Sequence, residues 1–254
     1  MSGLAVRALR KSFGGLLATA DVSFDVAEHS LTALIGPNGA GKTTLFNLIT
    51  NLFPADAGTV SFDGITLGGL APSEIAGLGI IRTFQTARVF PGMTVLENVL
   101  AGRHRLLEYG TIAQLTWWPP QRRAERALAE RARALLDLIG LADQADRPAT
   151  ALPMGAQKLL EVIRALMAQP RLLLLDEPAA GLNDTETAEL AALLRAIQAC
   201  GVTVMVVEHN MSLVMGIADQ IVVLEAGRMI ASGPPADIQR NPRVIAAYLG
   251  EDAA

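Results

Sequence analysis

The sequence predicts an α/β fold: a parallel sheet built around one strand–turn–helix unit, with an antiparallel β section near the N-terminus and an inserted helical subdomain. Three observations lead there. In LTALIGPNGAGKTTLFNLI, Leu31 to Ile49, an apolar strand-like run enters a glycine-rich turn and leaves as a helix. RLLLLDEP, from Arg171, is a continuous apolar run closed by two carboxylates, the pattern of a strand buried on both faces. After Arg88 the strand-like alternation gives way to long charged helices, so we expect a core of residues 1–87 and 165–254 and a helical subdomain of residues 88–164.

The first unit fits G-x-x-x-x-G-K-[ST], with Gly36, Gly41, Lys42 and Thr43 at the fixed places. Such a turn curls around a phosphate with backbone N–H groups pointing inward, and the following helix presents the positive end of its dipole to the same anion. The expected nucleotide-binding residues are Gly36, Pro37, Asn38, Gly39, Ala40, Gly41, Lys42, Thr43 and Thr44. Lys42 reaches the β- and γ-phosphates in this reading, and Thr43 sets its hydroxyl on Mg²⁺.

Upstream, residues 3 to 35 alternate as strands, with Val22, Phe24 and Val26 on one face and Ser23 and Asp25 on the other. Phe13, in KSFGG, sits in a turn-like setting where a ring can stack on a purine base or join the core. Downstream, TVSFDGITL reads as a hairpin around Asp63-Gly64. A short helix near Pro72 to Leu78 leads to GIIRTFQ, a buried strand ending at Gln85. Ligands collect at the carboxyl ends of such strands, so Gln85 is a candidate contact to Mg²⁺ or to an attacking water.

In the inserted segment Thr94 and Glu97 form a capping box. QRRAERALAERARALLDLIG then places Leu128, Ala132, Leu135 and Ile139 on one helix face, with Arg122, Arg126, Glu130 and Arg133 on a solvated face. Trp117 and Trp118 either make an exposed contact or pin their loop to the helices. Leu152 to Pro170 is a glycine-containing turn followed by an amphipathic helix.

The apolar run then ends in Asp176 and Glu177. Beside a phosphate loop, the first carboxylate suits a Mg²⁺ ligand and the second a base for a hydrolytic water. Asn183 and Glu186 are spaced as a cap and its partner for a helix from about Thr185 to Cys200. GVTVMVVEHN is another buried strand ending at His209, whose ring N–H can hold a γ-phosphate. QIVVLEAGRMIASG is a hairpin around Ala226-Gly227, and two proline-started helices follow.

Composition bounds the function. The 254 residues are 51% hydrophobic and 18% charged, which suits a globular chain. A net charge of −4 gives no general reason to bind nucleic acid. One cysteine, Cys200, excludes an intrachain disulfide and suits a reducing compartment, and its apolar surroundings predict a buried small residue. MSGLAVRALRK places three cations where a signal peptide would need an apolar run, and with no run of about 18 apolar residues free of charges, no transmembrane helix is expected. A mean hydropathy of +0.35 suggests surfaces covered in an assembly.

Together these motifs resemble the nucleotide-binding subunit of ABC transporters over nearly the whole chain, and within that family the ATPases of branched-chain (hydrophobic) amino acid importers. KSFGG, LDEPAAGLN, EHNMSLVMGIAD and NPRVIAAYLGE carry the closer likeness. The resemblance implies an ATPase using ATP and Mg²⁺, with Phe13 stacking adenine, Gln85 as the Q-loop residue, Asp176 and Glu177 as metal-binding and catalytic carboxylates, and His209 as the switch histidine. It implies a dimer with a second ABC ATPase subunit on transmembrane permease subunits, at the cytoplasmic face of the inner membrane, fed by an extracytoplasmic solute-binding protein. Two alternatives are the similar lipopolysaccharide-export ATPase and a soluble non-transport ABC ATPase of DNA repair or translation.

One motif departs from the family pattern. The signature, usually Leu-Ser-Gly-Gly-Gln or a Tyr-Gly-Gln-Gln variant, here reads Leu152, Pro153, Met154, Gly155, Ala156, Gln157. In the family this motif and the D-loop residue matching Asn183 face ATP bound to the opposite subunit. Pro153 can begin a helix, but the hydroxyl donor to an anion is lost, about 1.5–3 kcal/mol for a charge-assisted bond.

Overall fold

The computed structural model describes residues 3–83, 89–103 and 119–249, with the backbone alone at residues 119–122 and 249. The chain divides into two compact units, residues 1–85 with 171–254, and residues 86–170.

In the first unit a long hairpin, β1 (Gly3–Phe13) and β2 (Leu16–Ala27), joins β4 (Ala57–Phe62) and β5 (Ile65–Thr66) in an antiparallel sheet of order β2-β1-β4-β5. Val22, Phe24 and Val26 point inward and Asp25 outward, as the alternation predicts. The β4–β5 turn holds Asp63 at φ 50° and Gly64 at φ 80°, the two positive dihedrals of a type I′ turn.

Between these strands in sequence, β3 (Leu31–Ile35) enters α1 (Lys42–Ile49) through the glycine-rich turn. β3 belongs to a second sheet with β6 (Ile80–Arg82), β7 (Leu172–Asp176), β8 (Thr203–Val207), β9 (Gln220–Glu225) and β10 (Arg228–Gly233), in the order β10-β9-β3-β8-β7-β6. Pairing is parallel from β9 to β6, and β10 closes the edge antiparallel. The β9–β10 turn has Ala226 at φ 45° and Gly227 at φ 77°, again type I′.

Every residue of β3, β7 and β8 is buried, which explains why these strands read as unbroken apolar runs. One row of their side chains, Leu34, Leu172, Leu174, Met205 and Val207, shares a core with Leu45, Phe46 and Ile49 of α1 and with Leu4, Val6 and Val22 of the antiparallel sheet. α6 (Asp184–Ala199) packs on β8 and on α7 (Met211–Ile217) through Leu190, Leu193, Leu194 and Ile197. Cys200 corrects the sequence reading: it is exposed, because it stands at the C-cap of α6, beyond Ile197, where the buried stripe ends. α2 (Pro72–Gly77) precedes β6, and α8 (Pro235–Gln239) and α9 (Pro242–Leu249) both begin at proline.

The second unit holds α3 (Val95–Ala101), α4 (Pro119–Asp137) and α5 (Met154–Met167), which pack on one another. Thr94 and Glu97 make the predicted reciprocal cap on α3. α4 ends in a Schellman motif: Leu141 N–H donates to the Leu136 carbonyl (2.9 Å), Gly140 N–H donates to that of Asp137 (3.0 Å), and Gly140 takes φ 65°. Of the predicted face Ala132 is buried and Leu128, Leu135 and Ile139 are half-buried, and Leu136, one turn from Ala132, is buried beside them, so the stripe is the predicted one widened by a residue. Trp117, Trp118 and Gln85 lie outside the described residues.

Candidate nucleotide-binding site

Parallel pairing lines up the ends of three strands. Val207 of β8 sits between Leu34 of β3 and Asp176 of β7, and the ladder runs one step further, where Glu208 N–H donates to Leu34 O (3.3 Å) and Glu177 N–H to Val207 O (2.9 Å). The phosphate loop, the carboxylate pair and His209 therefore leave the sheet along a single edge. In open parallel sheets that carboxyl edge is where ligands bind.

The loop's shape depends on two glycines. Gly41 takes φ 97° as the N-cap of α1, and a Cβ there would lie 2.3 Å from the Ala18 carbonyl oxygen. A Cβ on Gly36 would meet Leu224 O at 2.1 Å. Ala40 N–H donates to Pro37 O (3.1 Å), and Ala40 O accepts from Gly227 N–H (3.0 Å), whose own carbonyl accepts from Ala20 N–H (2.7 Å). The loop is thus tied to both sheets.

Lys42 is buried and folds back over the loop, its ammonium donating to the carbonyls of Gly36 and of Pro37 (2.8 Å). α1 has no side-chain cap hydrogen bond at Gly41, the arrangement of a helix N-terminus that receives an anion. Thr43 is exposed and Thr44 half-buried.

Asp176 is 3% exposed. Its Oδ2 accepts from Arg82 Nη2 at 3.0 Å, while Oδ1 has no hydrogen-bond partner. Burial raises its pKa above the ordinary carboxylate value, with the Arg82 hydrogen bond and charge opposing. Arg82 also donates to Asn47 Oδ1 (2.6 Å) of α1 and stacks on Phe46, 5.6 Å from the ring centroid. A buried carboxylate oxygen with no donor is an acceptor suited to the water shell of a bound Mg²⁺. With the hydroxyl of Thr43 it would give the sparse protein set that suits Mg²⁺ where phosphates supply the other ligands. The residues fit the metal.

Glu177 is half-buried and held at φ 49°, a left-handed backbone that few residues other than glycine adopt. His209 is exposed immediately beyond β8. Between them lies a residue that sequence reasoning missed. Glu208 is fully buried, and its Oε1 accepts from Ala179 N–H (2.7 Å) while Oε2 accepts from His209 N–H (3.1 Å). The available signal was a carboxylate following the buried strand VMVV, the position Glu177 nearly occupies on β7.

Phe13 is 45% exposed at the tip of the first hairpin, edge-on to Phe53 with centroids 5.2 Å apart and with Lys11 Nζ 5.5 Å from its centroid. The ring is open for stacking. Asn183 spends its side-chain oxygen on capping α6, accepting from Glu186 N–H at 3.0 Å. In the second unit, Pro153 is the N-cap of α5 and makes no side-chain cap; Pro153 and Met154 are exposed, Gly155 is buried, and Ala156 and Gln157 are half-buried. Gln157 Nε2 donates back to Leu152 O at 2.8 Å.

A glycine-rich anion loop, an acidic strand end and a histidine along one sheet edge define a nucleotide-binding cassette, and comparison with known proteins gives the same class. The ABC transporter family model matches residues 19–180, and the chain belongs to that family. A second model, described as the branched-chain amino acid ATP-binding cassette transporter, matches residues 228–254. The high-affinity branched-chain amino acid transport ATP-binding protein LivG of Salmonella typhimurium is 45% identical over 249 residues, 98% of each chain. The high-affinity branched-chain amino acid transport ATP-binding protein BraF of Pseudomonas aeruginosa is likewise 45% identical over 98% of each chain. Among solved structures, an ATP-binding cassette of an ABC transporter in its ADP conformation superposes with a TM-score of 0.85 at 33% identity, covering 98% of this chain and 99% of its own.

Proposed function

We propose that the chain is the ATP-hydrolysing subunit of an importer for branched-chain or other hydrophobic amino acids. It is held at the cytoplasmic face of the membrane by transmembrane permease subunits, pairs with a second ATP-binding subunit, and serves an extracytoplasmic solute-binding protein. No described helix is long and apolar enough to cross a membrane, so attachment falls to the partners. The observation that carries the reading is the common sheet edge shared by the phosphate loop, Glu177 and His209. The C-terminal family match supports amino acid import over lipopolysaccharide export.

In this reading Phe13 stacks the adenine, and residues Gly36 to Thr44 wrap the phosphates. Lys42 turns from its loop carbonyls to the β- and γ-phosphates. Thr43, Asp176 and Gln85 are the residues that would hold Mg²⁺, which would neutralise phosphate charge. Glu177 takes the proton of the attacking water, and the imidazole of His209 donates to the γ-phosphate.

The test is to purify the chain from membranes with its co-encoded permeases, reconstitute the complex, and measure phosphate release with the loaded binding protein. Leucine, isoleucine and valine should stimulate turnover, and polar or charged amino acids should not. Stimulation by another solute class alone would overturn the substrate reading.

The signature adds an asymmetry. α5 offers backbone N–H groups at Met154, Gly155 and Ala156 but no hydroxyl donor, since Met154 stands where the usual signature has serine, so the partner's ATP meets a poorer anion site. Loss of about 1.5–3 kcal/mol of transition-state contact slows the partner's site roughly 10- to 150-fold, less what the amides recover. Neutralising one catalytic carboxylate at a time in a heteromeric complex checks this. Glu177→Gln should remove nearly all phosphate release and the partner's equivalent change much less; equal losses refute it.

A further inference from the structure

Two segments must be held in register for hydrolysis: the turn that follows Glu177 and the turn that begins at His209. Both leave the sheet at neighbouring strand ends, and among the described residues no backbone ladder bond joins them beyond Glu177 N–H to Val207 O. The side chain of Glu208 bridges that gap. Its carboxylate accepts from Ala179 N–H at 2.7 Å on one oxygen, and from His209 N–H at 3.1 Å and Asn210 N–H at 3.4 Å on the other.

Ala179 is two residues past Glu177, whose carbonyl accepts from Ala180 N–H (3.2 Å), so the acceptor pins the turn on which Glu177 sits. Asn210 in turn caps α7, accepting from Leu213 N–H at 3.0 Å, which anchors the other end of the bridge to a helix. A carboxyl group serving three backbone donors from a fully buried position is a rigid element, because the buried Ala179 N–H would otherwise be left unpaired.

We propose that Glu208 is a positioning residue for ATP hydrolysis, locking the Glu177 turn to the His209 turn through backbone amides without touching the nucleotide. The proposal rests on the reading of Glu177 and His209 as catalytic. Its chemistry is specific to a carboxylate of this length. Glu208→Gln turns an NH₂ group toward backbone donors at one end of the bridge, and Glu208→Asp is one methylene too short to span both ends.

Misplacement of catalytic groups by about 1 Å lowers rates by up to about 10²-fold. Both variants of the full chain are therefore expected to lose about 10- to 100-fold in kcat while the affinity and number of ATP sites, measured by titration, stay within twofold of the parent. A merely structural role would instead remove ATP sites and activity together. In a His209→Ala background, Glu208→Gln should cost less than in the parent, since half of what it positions is gone. An unchanged kcat, loss of ATP sites in both variants, or costs that multiply in full with His209→Ala would overturn the proposal. Glu177→Gln run alongside separates the two ideas: if it stays active, the catalytic reading fails; if it is inactive while Glu208→Gln keeps parental kcat, only the positioning role fails.

Discussion

Glu177→Gln is expected to lower ATP turnover by about 10²- to 10⁴-fold, the range a positioned general base contributes, while leaving ATP affinity within about twofold. The substitution is nearly isosteric, and the Glu177 N–H bond to Val207 O (2.9 Å) is a backbone bond that no side-chain change removes. The phosphate loop, Lys42 and Asp176 are untouched. Only the carboxylate proposed to accept the water's proton is neutralised. Because binding outlasts hydrolysis in this variant, the ATP-bound dimer should persist, seen as a shift in size-exclusion elution with ATP and Mg²⁺. Phosphate release equal to that of the parent would remove Glu177 from the catalytic role.

Much of this site is legible in the amino-acid sequence because its parts are local. The phosphate loop is one contiguous stretch, the buried strands announce themselves as unbroken apolar runs, and the caps at Thr94 and Asn183 depend on partners three residues away. What stays hidden depends on distant pairings. Asp176 meets Arg82 across 94 positions and Glu208 meets Ala179 across 29, and neither follows from spacing or periodicity.

Cys200 shows a related limit. Apolar neighbours predict burial, but a residue past the end of a helix's buried stripe is exposed whatever its neighbours are. The left-handed backbone of Glu177 is equally invisible, since glutamate carries no preference for it. On α4 the buried face is broader than the predicted one: Leu136, four residues from Ala132, joins it, as a core-facing helix stripe more than about 100° wide allows.

Lys42→Ala is expected to act at binding, weakening ATP by about 100-fold or more. Two charge-assisted bonds to phosphate oxygens at about 1.5–3 kcal/mol each set the upper scale, near 10⁴-fold. Against that stands what the ammonium gives up, since Nζ donates to the carbonyls of Gly36 and Pro37. Exchanging two neutral acceptors for two anionic ones keeps part of the gain, which places the expected loss toward the lower end. The same geometry predicts that the fold survives. Gly36 and Gly41 hold the loop by close backbone approach to Leu224 and Ala18, and Ala40 is bonded to Gly227, all without the lysine side chain. Calorimetric titration with ATP and Mg²⁺ should therefore show a much weaker site on a chain whose thermal unfolding midpoint has moved by only a few degrees. Unchanged ATP affinity would mean that Lys42 serves only as a clasp for its own loop.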